Sequence, residues 1–136
     1  MAVEQNKELV RNFCQTILVD RQLDQVAQFM RDPLNDVNET GKPEPLAHVT
    51  QYFDDYFQAF PDLKATIEDV TGENDLVTCR LTLSGTQQGE FMGHAASWKP
   101  FSVSSIQIFR VADGKIVERW EWVDRLGLRT QLGIQN

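Results

Sequence analysis

The segment Ile116-Val117-Glu118-Arg119-Trp120-Glu121-Trp122-Val123-Asp124 gathers three carboxylates, one guanidinium and two indoles. Side chains alternate along a strand. Ile116, Glu118, Trp120, Trp122 and Asp124 therefore share one face, and Val117, Arg119, Glu121 and Val123 share the other. If the first face points inward, Glu118 and Asp124 lie against apolar walls, a setting suited to proton transfer. If it points outward, two Trp stand in water or in a subunit interface, and the carboxylates form surface ion pairs. Spacing leaves both orientations open. The segment before it, Phe101 to Val111, places Gln107 and Ser105 in one row with Phe101, Val103, Phe109 and Val111. An amide in such a row either marks a solvated edge or hydrogen-bonds a ligand.

Other chemistries find fewer residues to work with. The chain has two histidines, His48 and His94, and no His-x-x-x-His or Cys-x-x-Cys spacing, so a tetrahedral zinc site has few ligands to draw on. Neither a Gly-rich phosphate loop nor a Gly-x-Ser-x-Gly elbow is present. Cys14 and Cys79 sit in apolar rows and read as small core residues. His94, beside Gly93, fits either a pocket mouth or plain solvation, and Arg80 fits a surface ion pair.

The elements that position these residues follow from periodicity. Leu9, Val10, Phe13, Cys14, Ile17 and Leu18 form one stripe of a helix over residues 4–19. A shorter helix after Asp20 presents Leu23, Val26, Phe29 and Met30. Arg31 to Pro45, rich in Pro and polar residues, reads as loop. A third helix from about Pro45 to Phe60 has an aromatic face of Tyr52, Phe53, Tyr56, Phe57 and Phe60, and Pro61 stops it. Beyond Pro61 the period falls to two. Strands are expected near 63–68, 76–84, 101–111 and 116–124, with an irregular excursion from Gln87 to Pro100. Helices followed by antiparallel strands predict an α+β fold with the helices covering one face of a curved sheet.

Composition bounds the answer further. A chain of 136 residues, 41% hydrophobic, is expected to form one domain over 1–136 with a sizeable core. A net charge of −7, with no block of Lys or Arg, argues against nucleic acid and anionic membrane surfaces as partners. No apolar run reaches the length of a membrane span, and Met1-Ala2-Val3-Glu4 does not read as a signal peptide. Two cysteines make a poor disulfide framework, which points to a reducing cytoplasm.

Several motifs together resemble one family. They are Asn6-Lys7-x-Leu9-Val10-Arg11-x-Phe13, Ala59-Phe60-Pro61-Asp62-Leu63 and Leu83-x-Gly85-Thr86-x-x-Gly89-Glu90-Phe91-x-Gly93. Ile108-Phe109-Arg110-x-x-Asp113-Gly114-Lys115-Ile116-Val117-Glu118-x-Trp120-x-x-x-Asp124 and the closing Leu126-Gly127-Leu128 and Gln131-Leu132-Gly133 complete the set. In this order the chain resembles the SnoaL-like polyketide cyclases, of the nuclear transport factor two superfamily.

The resemblance implies a cone-shaped α+β barrel in which a curved antiparallel sheet wraps over three N-terminal helices around an apolar pocket. It implies ring closure of a polyketide ester by intramolecular aldol condensation, without metal or cofactor. It puts the acid/base on Asp124 and polar partners at Gln107 and Asn35, and turns Trp120 and Trp122 inward with Asp124. Phe53, Tyr56 and Phe57 would wall the pocket from the helix side, with Phe109 and His94 beside it. The sequence departs from the family after the second helix, where Asp32-Pro33-Leu34-Asn35 carries no His, and at Gln87, where His is common. Epoxide hydrolysis by an Asp-Arg-Asp arrangement is a further reading, with Arg80 and Asp124 as two members. A non-catalytic binder of an apolar small molecule, or a dimeric interaction module, is another. The sheet face carrying Ile106 and Ile108 is expected to be buried in a homodimer.

Overall fold

The structure, a computed structural model, describes residues 2–37 and 42–134. Helix α1 (Ala2–Phe13) buries Val10 and Phe13 and runs on as a wider π-helical segment, Cys14–Val19, that buries Cys14, Ile17 and Leu18. The stripe read from the sequence is thus one continuous apolar face, with a change of pitch at Cys14. The shorter second helix is a 3₁₀ segment, Leu23–Gln28, seating Val26 in the core. Helix α2 (Leu46–Ala59) buries Leu46, Val49, Phe53, Phe57 and Ala59. It ends because Pro61 disfavours helical geometry at the residue before it; Phe60 sits at φ −128°, ψ 77°.

Six strands form one sheet: β1 (Met30–Asp36), β2 (Pro43–Glu44), β3 (Lys64–Glu73), β4 (Leu76–Thr86), β5 (Pro100–Ala112) and β6 (Lys115–Val123), in the order β2-β1-β6-β5-β4-β3. All neighbours are antiparallel except β1 and β6, which run parallel. The β5–β6 hairpin turns on Asp113-Gly114, with φ of 52° and 75°. Positive φ at both central residues is the geometry whose twist matches a two-residue hairpin, and Asp-Gly supplies it at low cost.

Arg31 to Pro45 is not all loop: Met30–Asp36 pairs with β6 and Pro43–Glu44 pairs with β1. The strand was hidden by Pro33 and by a shift of register between Met30 and Asn35, which breaks the alternation a strand normally shows. Residues 38–41 of that segment lie outside the described residues. The chain also continues into a short helix the sequence reading did not resolve, α3 (Arg125–Leu132), which buries Leu128 and Leu132.

The helices lie on the inner face of the sheet. Phe13 is the pivot, its ring 6.0 Å from Phe29, 6.2 Å from Phe53 and 5.6 Å from Phe109. The excursion between β4 and β5 is gathered by buried Gln87, whose amide donates to the carbonyls of Gly89, His94 and Ala95, each at 3.1 Å. On the outer face Ile106 pairs with Trp122 and Ile108 with Trp120. No helix among the described residues is long and apolar enough to cross a membrane.

Candidate active site

Strand β6 settles which of its faces is wet. Ile106 and Trp122 are 42% and 50% exposed, whereas Arg119 is fully enclosed and Glu121 nearly so. The inward set is Ile116 and, beyond a register shift that leaves Val117 without a partner on β5, Arg119, Glu121 and Val123. Cross-strand register then aligns Cys79, Gln107 and Glu121 in one row, and Val77, Phe109 and Arg119 in the next, with Asp36 beside Arg119.

Arg119 organises this cluster. Its Nη1 donates to Asp36 Oδ2 at 3.0 Å, its Nη2 lies 3.1 Å from Glu121 Oε2, and its Nε donates to Gln107 Oε1 at 3.2 Å. The Glu121 contact is an ion pair rather than an aligned hydrogen bond. The guanidinium also lies over the rings of Phe53, at 5.2 Å, and Tyr52, at 5.8 Å. Tyr52, on α2, donates its hydroxyl to Glu121 Oε1 at 2.7 Å. Because the Gln107 carbonyl accepts from Arg119, its amide N–H₂ is the end left to donate elsewhere.

Buried charge sets the electrostatics. Burial works to lower the Arg119 pKa, but the Glu121 and Asp36 carboxylates outweigh it and hold the guanidinium more firmly charged than usual. Burial, opposed by Arg119, lifts Asp36 above the ordinary aspartate value. Burial and the adjacent Glu121 charge push the Tyr52 phenol well above its ordinary value, so Tyr52 acts as a proton donor in hydrogen bonds. An acid raised in the folded state stabilises the fold below its unfolded pKa and loses that contribution as pH climbs through the raised value. Asp36→Asn should therefore flatten the fall of urea midpoints with rising pH across the acidic range.

A narrow cleft of about 30 Å³ opens beside Glu121 and Gln107. Tyr52, Phe53, Tyr56 and Phe57 of α2 form one wall, and Leu18, Leu63, Leu83 and Val123 line the rest. Such a volume holds about one water. Tyr52 and Tyr56 also border a wider vestibule of about 470 Å³, which Phe91, Met92 and Arg125 help to enclose. Tyr52 and Tyr56 are thus shared between the cleft and the vestibule.

The structure brings some of the expected site residues together and separates others. Gln107, Phe53, Tyr56 and Phe57 line the cleft. Asp124 does not: it is exposed and serves as the N-cap of α3, accepting the Gly127 N–H at 2.8 Å. A Cβ at position 127 would collide with the Asp124 carboxylate, so the Asp-x-x-Gly spacing is a helix cap. Asp124→Ala should cost about 1 kcal/mol of stability in urea unfolding and leave activity unchanged.

Trp120 and Trp122 face outward, with Arg110 stacked over Trp120 at 5.8 Å, because the alternation assigns the inner face to Arg119 and Glu121. Asn35 points away from the cleft and donates to Glu118 Oε2 at 2.5 Å, its neighbours Leu34 and Asp36 being the buried ones. Phe109 is a fully buried core residue against Phe13. His94 is exposed in a tight turn closed by reciprocal backbone bonds with Phe91. Arg80 pairs with Asp69 on the outside of the sheet.

Sequence reasoning missed Glu121, Arg119, Asp36 and Tyr52 as members of one cluster. A signal was present: Arg119 and Glu121 alternate with Val123, and opposite charges two residues apart on one strand face can neutralise each other in a core.

The comparisons with known proteins agree with this architecture. The aklanonic acid methyl ester cyclase DnrD of Streptomyces peucetius is 35% identical over 72 residues, covering 52% of this chain and 50% of that protein. The corresponding cyclase AcmA of Streptomyces galilaeus is 38% identical over 72 residues, 52% of this chain and 50% of that protein. These matches span about half the length of the curated relatives. TsrD from Streptomyces laurentii superimposes with a TM-score of 0.86 at 26% identity, covering 97% of both chains. A SnoaL-like protein of Jannaschia sp. CCS1 gives 0.87 at 26% identity over 98% of this chain and 95% of that one. The curved sheet, its three overlying helical segments and a match to the family over residues 8–132 lead to one conclusion: the chain belongs to the SnoaL-like polyketide cyclases.

Proposed function

We propose that the protein is a cofactor-independent acid/base cyclase or isomerase for a polyketide-like carbonyl compound, with Glu121 as the acid/base. The observation that carries this reading is the side-by-side placement of Glu121 and Gln107 in a cleft otherwise lined by aromatic and aliphatic side chains. The Glu121 carboxylate takes a proton from carbon next to a carbonyl. The Gln107 amide N–H₂ donates to the enolate oxygen, and Arg119 fixes that amide in the donating direction. The enolate carbon then attacks a second carbonyl of the same molecule, and the new alkoxide receives the proton back from Glu121. The family description and relatives named as aklanonic acid methyl ester cyclases make a polyketide methyl ester the substrate class to try first. Solvent deuterium incorporation next to the carbonyl of a β-keto ester, followed by NMR, reports the first step.

A second reading, epoxide opening by activated water, draws support from the carboxylate–guanidinium–carboxylate order Asp36–Arg119–Glu121. It ranks below the first because Asp36 does not line the cleft. Incorporation of one oxygen from labelled water into an aryl epoxide, lost in Glu121→Gln, would reverse the ranking. A non-catalytic binder of an apolar molecule would hold a ligand in the cleft without either exchange.

We also propose a homodimer through the outer sheet face, where Ile106 and Trp122 stand exposed side by side. Sedimentation should give twice 15.6 kDa, and Trp122→Glu should return the monomer. The two free thiols favour a reducing cytoplasm as its setting.

A further inference from the structure

The two cysteines of the chain are 65 positions apart, yet their sulfurs meet at 3.8 Å in the core. Cys14 opens the π-helical segment on the helix layer, and Cys79 lies mid-strand on β4; neither exposes any surface. We infer that Cys14 and Cys79 form an oxidation site, at which a small hydroperoxide joins them into an intramolecular disulfide.

The chemistry is balanced within the pair and its oxidant. The Cys79 thiolate attacks the peroxide O–O bond and becomes a sulfenic acid, releasing water or an alcohol. Cys14 then displaces the sulfenic hydroxyl as water, forming the S–S bond; two thiols and one hydroperoxide give one disulfide. The order follows from the environment. The hydrogen bond from Cys14 lowers the Cys79 pKa, and nearby Arg11 helps against burial, while the same bond and burial raise Cys14. Cys79 is thus the thiol to ionise first.

On this inference the oxidant enters where the π-helical segment meets the cleft, at Leu18. Cys79 is also the register partner of Gln107, so the crosslink ties the segment that carries Leu18 to the row bearing the polar groups. This site is independent of what Glu121 does.

The test is intact mass spectrometry of the wild-type protein after hydrogen peroxide, followed by unfolding and alkylation with iodoacetamide. The expected product is a monomer lighter by about 2 Da, with both thiols blocked until dithiothreitol is added. Cys14→Ala and Cys79→Ala should each lose this product, and in Cys14→Ala the remaining Cys79 should gain one oxygen that dimedone traps. Added oxygens on both wild-type thiols, or an intermolecular dimer, would overturn the inference. So would two alkylatable thiols after a dose that fully oxidises an exposed-thiol control.

Discussion

Replacing Glu121 by Gln is expected to slow proton exchange next to a substrate carbonyl by about 10²–10⁴-fold, the usual worth of a positioned acid/base. The amide keeps the size of the side chain and can still accept the Tyr52 hydroxyl, so the cleft retains its shape. What it loses is the ability to take a proton. Both kcat and kcat/KM should fall together with little change in KM, since the lost interaction belongs to the transition state. Asp124→Ala is the matched control, because that carboxylate caps α3 at the exposed end of β6. If Asp124→Ala abolished exchange and Glu121→Gln did not, the assignment of roles within the last strand would be reversed.

Arg119→Met should produce the largest loss of stability, about 3–5 kcal/mol, because it strands two buried carboxylates without their partner. Arg119 is wholly enclosed and sits between Asp36 and Glu121, so no water replaces it. The loss carries a definite pH signature. Asp36 already titrates above its ordinary value, and removing the guanidinium pushes it higher. A raised acid costs the fold more as it ionises, so Arg119→Met should weaken further as pH rises through the acidic range and recover toward low pH. Adding Asp36→Asn and Glu121→Gln to Arg119→Met should restore most of the stability, since a cluster stripped of all its charges has nothing left to compensate. Urea unfolding at several pH values reads both effects.

The helix stripes around Phe13 and Phe53 and the long strands β4 and β5 were legible because burial on one side imposes a period that residues display directly. Strand β1 was not, since Pro33 and the register shift erase its alternation. In β6 the alternation was plain, but its phase was not. Two indoles against an Arg and a Glu looks like an easy choice of inner face, and hydrophobicity alone chooses wrongly. The phase is decided by partners on other elements: Asp36 from β1, Tyr52 from α2 and Gln107 from β5 neutralise or bond Arg119 and Glu121, making their burial tolerable. Those contacts join residues far apart in sequence, so the Arg119–Glu121 spacing hints at the cluster without fixing its partners. Asp124 illustrates the converse: a carboxylate at a motif position whose structural task, capping α3 against Gly127, accounts for it.

In the proposed mechanism Glu121 and Gln107 together hold the reacting carbonyl compound. The most direct measurement is a crystal structure of the protein with a phenol that mimics the enolate, such as a substituted naphthol. Its oxygen should lie within hydrogen-bond distance of the Gln107 amide and of Glu121, inside the cleft beside Tyr52 and Tyr56. A naphthol bound instead beside Asp124, or on the outer sheet face against Trp122, with the cleft closed as before, would contradict it.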